Sequence, residues 1–153
     1  MPRIVIERRQ DPVAVDRIIR SLPDWFGIEE AVLDYVEDSA HLDSFLAVVG
    51  GKITGIALAN HHFPESAELA LIAVQANSRG TGIGTALVDA VEETLITDGC
   101  QLLQVHTVGS SFDNDAYAQT RAFYRRSGFL PLQEFNQIDW DGPTLVLVKP
   151  LTT

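Results

Sequence analysis

The sequence holds one cysteine, Cys100, so a disulfide within the chain is excluded. No apolar run approaches the ~20 residues that a membrane-crossing helix needs. The opening segment MPRIVIERRQ also lacks the apolar stretch of a secretory signal, and these absences together imply a cytoplasmic protein. Basic residues are scarce: 11 Lys and Arg stand against 21 Asp and Glu, for a formal net charge of −10. Such a chain meets repulsion at nucleic acid or an anionic membrane before any specific contact forms. Both are excluded as partners, and a cationic or neutral substrate fits better. Repeats, low-complexity tracts and linkers are missing too, and no metal is implied. With 46% hydrophobic residues over 153 positions there is material for one core, so residues 1–153 read as a single domain.

What is present reads as alternating strands and helices. Ile4–Arg8 alternates like a strand, and Pro12 starts a helix carrying Val13, Val15, Ile18 and Ile19. Pro23 and Gly27 punctuate the chain before a second helix over Ile28–Val36. SFLAVVGG and KITGIALAN form a hairpin through Gly50-Gly51, and ELALIAV is a third strand of that run. From Gly82 the period turns helical, with Ile83, Leu87, Ala90, Val91 and Leu95 on one face and Gly99 as the stop. LLQVHTV is a strand, Asp113-Asn114-Asp115 caps a helix over Tyr117–Ser127 that Gly128 ends, and FLPLQEF and TLVLVKP close the chain as strands. The order β-α-α-β-β-β-α-β-α-β-β implies an α/β (α+β) fold, a mixed sheet with helices on both faces.

The chemistry begins at the strand-to-helix junction Arg79-Gly80-Thr81-Gly82-Ile83-Gly84. Glycines at alternate positions let main chain approach a ligand without Cβ obstruction, and the helix that follows presents unpaired amides and the positive end of its dipole. Acidic residues usually gather in a helix's first turn, yet none occurs between Arg79 and Val88. That vacancy suits an external anion. The string is neither a dinucleotide fingerprint nor a P-loop, and taken alone it is equally a tight turn ahead of a core helix.

Arg79-x-x-Gly82-x-Gly84, directly after the strand Glu68–Val74, resembles the coenzyme A signature [QR]-x-x-G-x-[GA] of the GNAT acetyltransferase superfamily. Phe123-Tyr124-Arg125-Arg126-Ser127-Gly128-Phe129 resembles that superfamily's second block, a Tyr ahead of a terminal Gly-Phe. The resemblance implies a GNAT fold: a mostly antiparallel sheet of about seven strands with a central splay, flanked by about four helices. It also implies acetyl-CoA as cosubstrate. Arg79, Gly80, Thr81, Gly82, Ile83, Gly84 and Thr85 would wrap its pyrophosphate, and Ile72, Ala73 and Val74 would pair with its pantetheine arm. The Ile72 amide would also steady the thioester oxygen as charge develops. Tyr124 matches the family's general acid, a phenol that protonates the departing thiolate, where the bland alternative is a packing partner of Phe123. Glu68 matches the base of histone-acetylating members, where the alternatives are water as base or a polar residue opening a strand.

Other residues say less. His61 and His62 read as an exposed pair in a loop, with a role as base or substrate contact as the alternative. Cys100 reads as a buried structural thiol. Tyr117 stands where many relatives carry a coenzyme-contacting Asn, which leaves packing or a phosphate contact open. For the acceptor, Trp25, Phe26 and Tyr35 suggest an apolar or cation-accepting wall, and Glu29, with Asp24, Glu30 and Asp34, an ammonium contact or simply a solvated helix face. The expected activity is transfer of acetyl from acetyl-CoA to a primary amine of a small molecule or peptide. A non-catalytic acyl-CoA sensor or an interaction module on the same fold is the alternative, and a homodimer is allowed.

Overall fold

The computed structural model describes residues 3–152. Its strands are β1 (Ile4–Arg8), β2 (Asp43–Val49), β3 (Lys52–Phe63), β4 (Ser66–Val74), β5 (Leu102–Val108), β6 (Leu130–Asn136) and β7 (Pro143–Pro150). Its helices are α1 (Pro12–Arg20), α2 (Glu29–Asp38), α3 (Ile83–Thr97) and α4 (Asp115–Arg126), so the element order is the expected one. The strands form one 7-stranded mixed sheet in the order β1-β2-β3-β4-β5-β7-β6. The chain divides into two compact units, one built from the residues up to Asn60 with Ala70–Thr94, the other from His61–Leu69 with the residues from Leu95 onward.

In the first unit, Asp11 caps α1 by accepting from the Ala14 amide at 3.1 Å, and Pro12 occupies a position whose N–H the helix would not use. Ala14, Val15, Ile18 and Ile19 then make one buried stripe. Val15, Ile18 and Ile19 join Leu22, Val32, Leu46, Ile56, Leu58, Leu71 and Ala73 in the core, with Trp25, Phe26 and Tyr35 packed against it. Gly50 and Gly51 turn the β2–β3 hairpin at φ 58° and 79°, a pair of left-handed positions that glycine fills without strain. β4 alternates buried and half-buried residues along its whole length.

In the second unit, β5 and β7 run antiparallel over seven pairs, from Leu102↔Pro150 to Val108↔Thr144. β6 adds an outer strand to β7 and carries an irregularity between Pro131 and Gln133, where proline's missing N–H is tolerated at a sheet edge. Asn114, within the expected capping cluster, caps α4 through the Tyr117 amide, and the helix starts at Asp115, two residues before the expected Tyr117. At the other end Gly128 takes φ 96°, and the Lys149 ammonium donates to the Ser127 carbonyl at 2.6 Å, placing a cation at the negative end of the helix. Cys100 is buried, as expected. The parallel register of β4 and β5 in this unit is Ser66↔Leu102, Ala67↔Leu103 and Glu68↔Gln104. No described helix is long and apolar enough to cross a membrane.

Candidate active site

The glycine-rich junction lies in the first unit. A short 3-10 turn, Ala76–Ser78, leads from β4 into it, and the Thr81 hydroxyl closes the turn by donating to the Ser78 carbonyl at 2.6 Å. Gly80 and Gly82 adopt φ 77° and 86°. A Cβ built on either would meet nothing within 4 Å, so the space beside this backbone is open and the requirement for glycine is conformational. The Gly82 carbonyl accepts from the Ala86 amide at 3.0 Å, which makes it the first acceptor of α3. The amides from Gly82 to Thr85 therefore have no partner inside the helix. The first turn of α3 contains no acidic side chain. Such amides ahead of an acid-free turn can accept an anion.

Two features missed from sequence hold this junction in place. Arg17 on α1 donates to the Gln75 side chain at 3.0 Å and to the Ile53 carbonyl at 2.9 Å, while the Ser21 hydroxyl accepts from the Ala76 amide at 3.2 Å. Gly55 on β3 sits against the start of α3: a Cβ there would lie 2.8 Å from Ile83 Cγ2 and 3.1 Å from Leu87 Cδ1. A lone glycine inside a strand is the usual sign of such an approach, but the sequence does not say what approaches.

The aromatic wall is partly occupied by the protein itself. The Arg79 guanidinium lies 4.3 Å from the Trp25 ring centroid, so the cation that Trp25 accepts is the first residue of the glycine motif. Phe26 and Tyr35 meet edge to face at 5.6 Å and anchor α2 on the core. Glu29 receives two bonds from Arg20, at 2.7 and 2.8 Å, and these hold its carboxyl below the ordinary value. Its charge is thus already partnered by Arg20. Ile72 and Val74 are half-buried, and Ala73 between them is buried.

The remaining candidates lie in the second unit. Tyr124 is 5% exposed, with its ring 5.6 Å from Phe123 and 5.7 Å from Phe129. It packs as the bland reading expects, while the Gly128 turn brings the Phe129 amide back to the Tyr124 carbonyl at 3.0 Å. Glu68 is half-buried and its Oε1 lies 2.8 Å from His62 Nε2. This corrects the expectation of a loop for the histidines: His61 and His62 are the exposed last part of β3, and His62 is Glu68's partner. The two lie on either side of the Pro64-Glu65 turn, the only sequence sign that they meet. Tyr117 is half-buried, and burial raises its phenol above the ordinary value.

A family model for the acetyltransferase (GNAT) family matches residues 14–129. The chain belongs to the GNAT acetyltransferase family. Its members are enzymes, and the mixed sheet of seven strands with four helices is the GNAT fold. No curated protein sequence matches the chain. Among solved structures, a GNAT-family protein from Desulfovibrio desulfuricans is similar with a TM-score of 0.82 at 20% identity, over 98% of this chain and 100% of that one. An aminoglycoside 6'-N-acetyltransferase solved with coenzyme A matches with a TM-score of 0.77 at 17% identity, over 97% of this chain and 98% of its own. The ribosomal-protein-S18-alanine N-acetyltransferase of Escherichia coli also has a TM-score of 0.77, at 18% identity, over 99% of this GNAT chain and 96% of its own.

Proposed function

We propose that this GNAT chain, acting as a single domain, transfers acetyl from acetyl-CoA directly to a primary amine of a small molecule or peptide. The observation that carries the reading is the acid-free glycine junction, where positive-φ Gly80 and Gly82 open the backbone to a ligand ahead of α3. In this reading the junction from Arg79 to Thr85 holds the pyrophosphate, and Ile72, Ala73 and Val74 pair with the pantetheine arm. The Ile72 amide steadies the oxyanion as the amine attacks the thioester carbon. The Tyr124 phenol protonates the departing thiolate, and the Glu68–His62 pair receives a proton from the amine. Trp25, Phe26 and Tyr35 serve the acceptor side chiefly by shaping it, since their rings already have partners in the fold. The solved structures of similar fold include one named for aminoglycosides and one for an alanine of ribosomal protein S18, which supports an amine acceptor on a small molecule or on a protein.

Acetyl-CoA at about 100 times its Kd stabilises the native state by ~2.7 kcal/mol, which for a chain of this size raises Tm by roughly 5–11 °C. An unchanged Tm at millimolar acetyl-CoA overturns the reading. A non-catalytic sensor shows the same shift but releases no thiol with any amine.

A further inference from the structure

We infer that His62, rather than Glu68, is the proton acceptor for the amine, and that Glu68 is the positioning residue that fixes the imidazole. The inference rests on the acetyltransferase reading above and assigns roles within its base pair. An ionised carboxylate only accepts hydrogen bonds, so the contact of 2.8 Å between His62 Nε2 and Glu68 Oε1 puts the proton on Nε2. In the neutral ring the lone pair is then on Nδ1. A carboxylate at the far nitrogen also stabilises the imidazolium once Nδ1 has taken a proton, the logic by which a buried acid supports a histidine base.

Exposure separates the two groups in the same direction. The His62 side chain is 38% exposed and Glu68 22%, so the imidazole is the more accessible member of the pair. The other histidine–carboxylate contact of this unit shows what a structural version looks like. His106 on β5 has Nδ1 2.9 Å from Asp139 and Nε2 3.1 Å from Gln104, so both ring nitrogens are engaged and the ring ties β5 to the segment before β7. His62 makes this kind of contact through one nitrogen, Nε2.

The proton count closes. The ammonium gives one proton to His62 Nδ1, and the neutral amine attacks the thioester carbon. The C–N bond forms, the C–S bond breaks, and the second proton of the nitrogen replaces the one that Tyr124 delivers to the thiolate. Imidazolium returns its proton to solvent, for a net release of one proton per amide formed.

The test has two parts. Ring 15N correlation spectra of the full chain should show neutral His62 as the Nε2–H tautomer, and Glu68→Leu should abolish that preference while Glu68→Gln, whose carbonyl still accepts, should keep it. A Nδ1–H ring, or a tautomer indifferent to Glu68→Leu, overturns the proposal. Thiol release is then measured with kanamycin, spermidine and a peptide with a free N-terminal alanine. His62→Ala should lower kcat/KM by about 10²- to 10⁴-fold with partial rescue by imidazole in the buffer, and Glu68→Gln by about tenfold without it. The reverse order of severity, or no imidazole rescue, overturns it. If acetyl-CoA raises Tm but no amine is acetylated, the role of His62 falls and coenzyme binding stands; if acetyl-CoA gives no shift, the function reading itself falls.

Discussion

Gly55→Ala measures how firmly the start of α3 is held against the sheet. The added Cβ would stand 2.8 Å from Ile83 Cγ2, 3.1 Å from Leu87 Cδ1 and 3.4 Å from the Ala73 carbonyl. Ile83 and Leu87 are 4% and 0% exposed, so neither has open space into which to retreat. Cγ2 is one bond from the Ile83 Cβ, and relieving the contact moves the first turn of the helix rather than a flexible tip. Two effects oppose. Replacing glycine within an element gains about 0.5–1 kcal/mol from the unfolded chain, and overpacking costs about 1–3 kcal/mol. Overpacking wins, with a net loss of about 1–2 kcal/mol and a Tm lowered by roughly 2–8 °C. The displaced turn is the one that presents the amides of Gly82 to Thr85, so the Tm shift given by acetyl-CoA should shrink as well. Ile83→Leu removes the β-methyl at nearly constant volume, and the double variant should recover much of both losses, a coupling of about 1 kcal/mol. Wild-type Tm and a wild-type acetyl-CoA shift in Gly55→Ala, or strictly additive effects in the cycle, refute the reasoning.

Gly82→Ala has open space but φ 86°, so it should cost about 1–2 kcal/mol from backbone strain alone and weaken acetyl-CoA, with Gly82→Asn milder in the same Tm assay. Tyr124→Phe keeps the ring contacts with Phe123 and Phe129 and should preserve acetyl-CoA affinity while lowering kcat roughly ten- to a thousand-fold; a wild-type rate would make Tyr124 a packing residue. Lys149→Met removes the donor to the Ser127 carbonyl and should lower stability by about 1 kcal/mol in urea unfolding, without changing acetyl-CoA binding. Tyr117 has its phenol raised above 10.0 by burial, so its contribution to stability is present below pH ~10 and is lost as pH climbs through the raised value. Tyr117→Phe should flatten that alkaline limb of the urea midpoint.

The elements were legible because their signals are local. Pro12, the Gly50-Gly51 pair, and Gly99 and Gly128 past the ends of helices each impose a conformation on their own few residues, and the structure shows φ 58°, 79°, 87° and 96° at the four glycines. The acid-free first turn of α3 was equally local. Boundaries slipped where capping and strand pairing decide them: α4 begins at Asp115 because Asn114 reaches the Tyr117 amide, and β3 runs on to Phe63 through the two histidines.

Residues whose importance depends on what meets them were not legible. Trp25 suggests an apolar or cation-accepting wall, and no local signal shows that Arg79 lies upon its ring. Glu29 met Arg20 in the same way. Arg17 gave no sign, since an arginine on a helix is ordinary until the loop it holds is placed, and Gly55 marks a close approach without naming what approaches. The His62–Glu68 contact belongs to this class. Neither periodicity nor a motif links the two residues, and only a hairpin through Pro64-Glu65 brings an imidazole onto the carboxylate. A family motif marks residues that touch the shared donor, whose shape is constant across relatives. In the proposed reaction the proton acceptor meets the amine, and the acceptors named for two solved relatives, an aminoglycoside and an alanine of ribosomal protein S18, differ. The base is therefore the part of such a site least bound to a fixed sequence position and most dependent on contacts between strands.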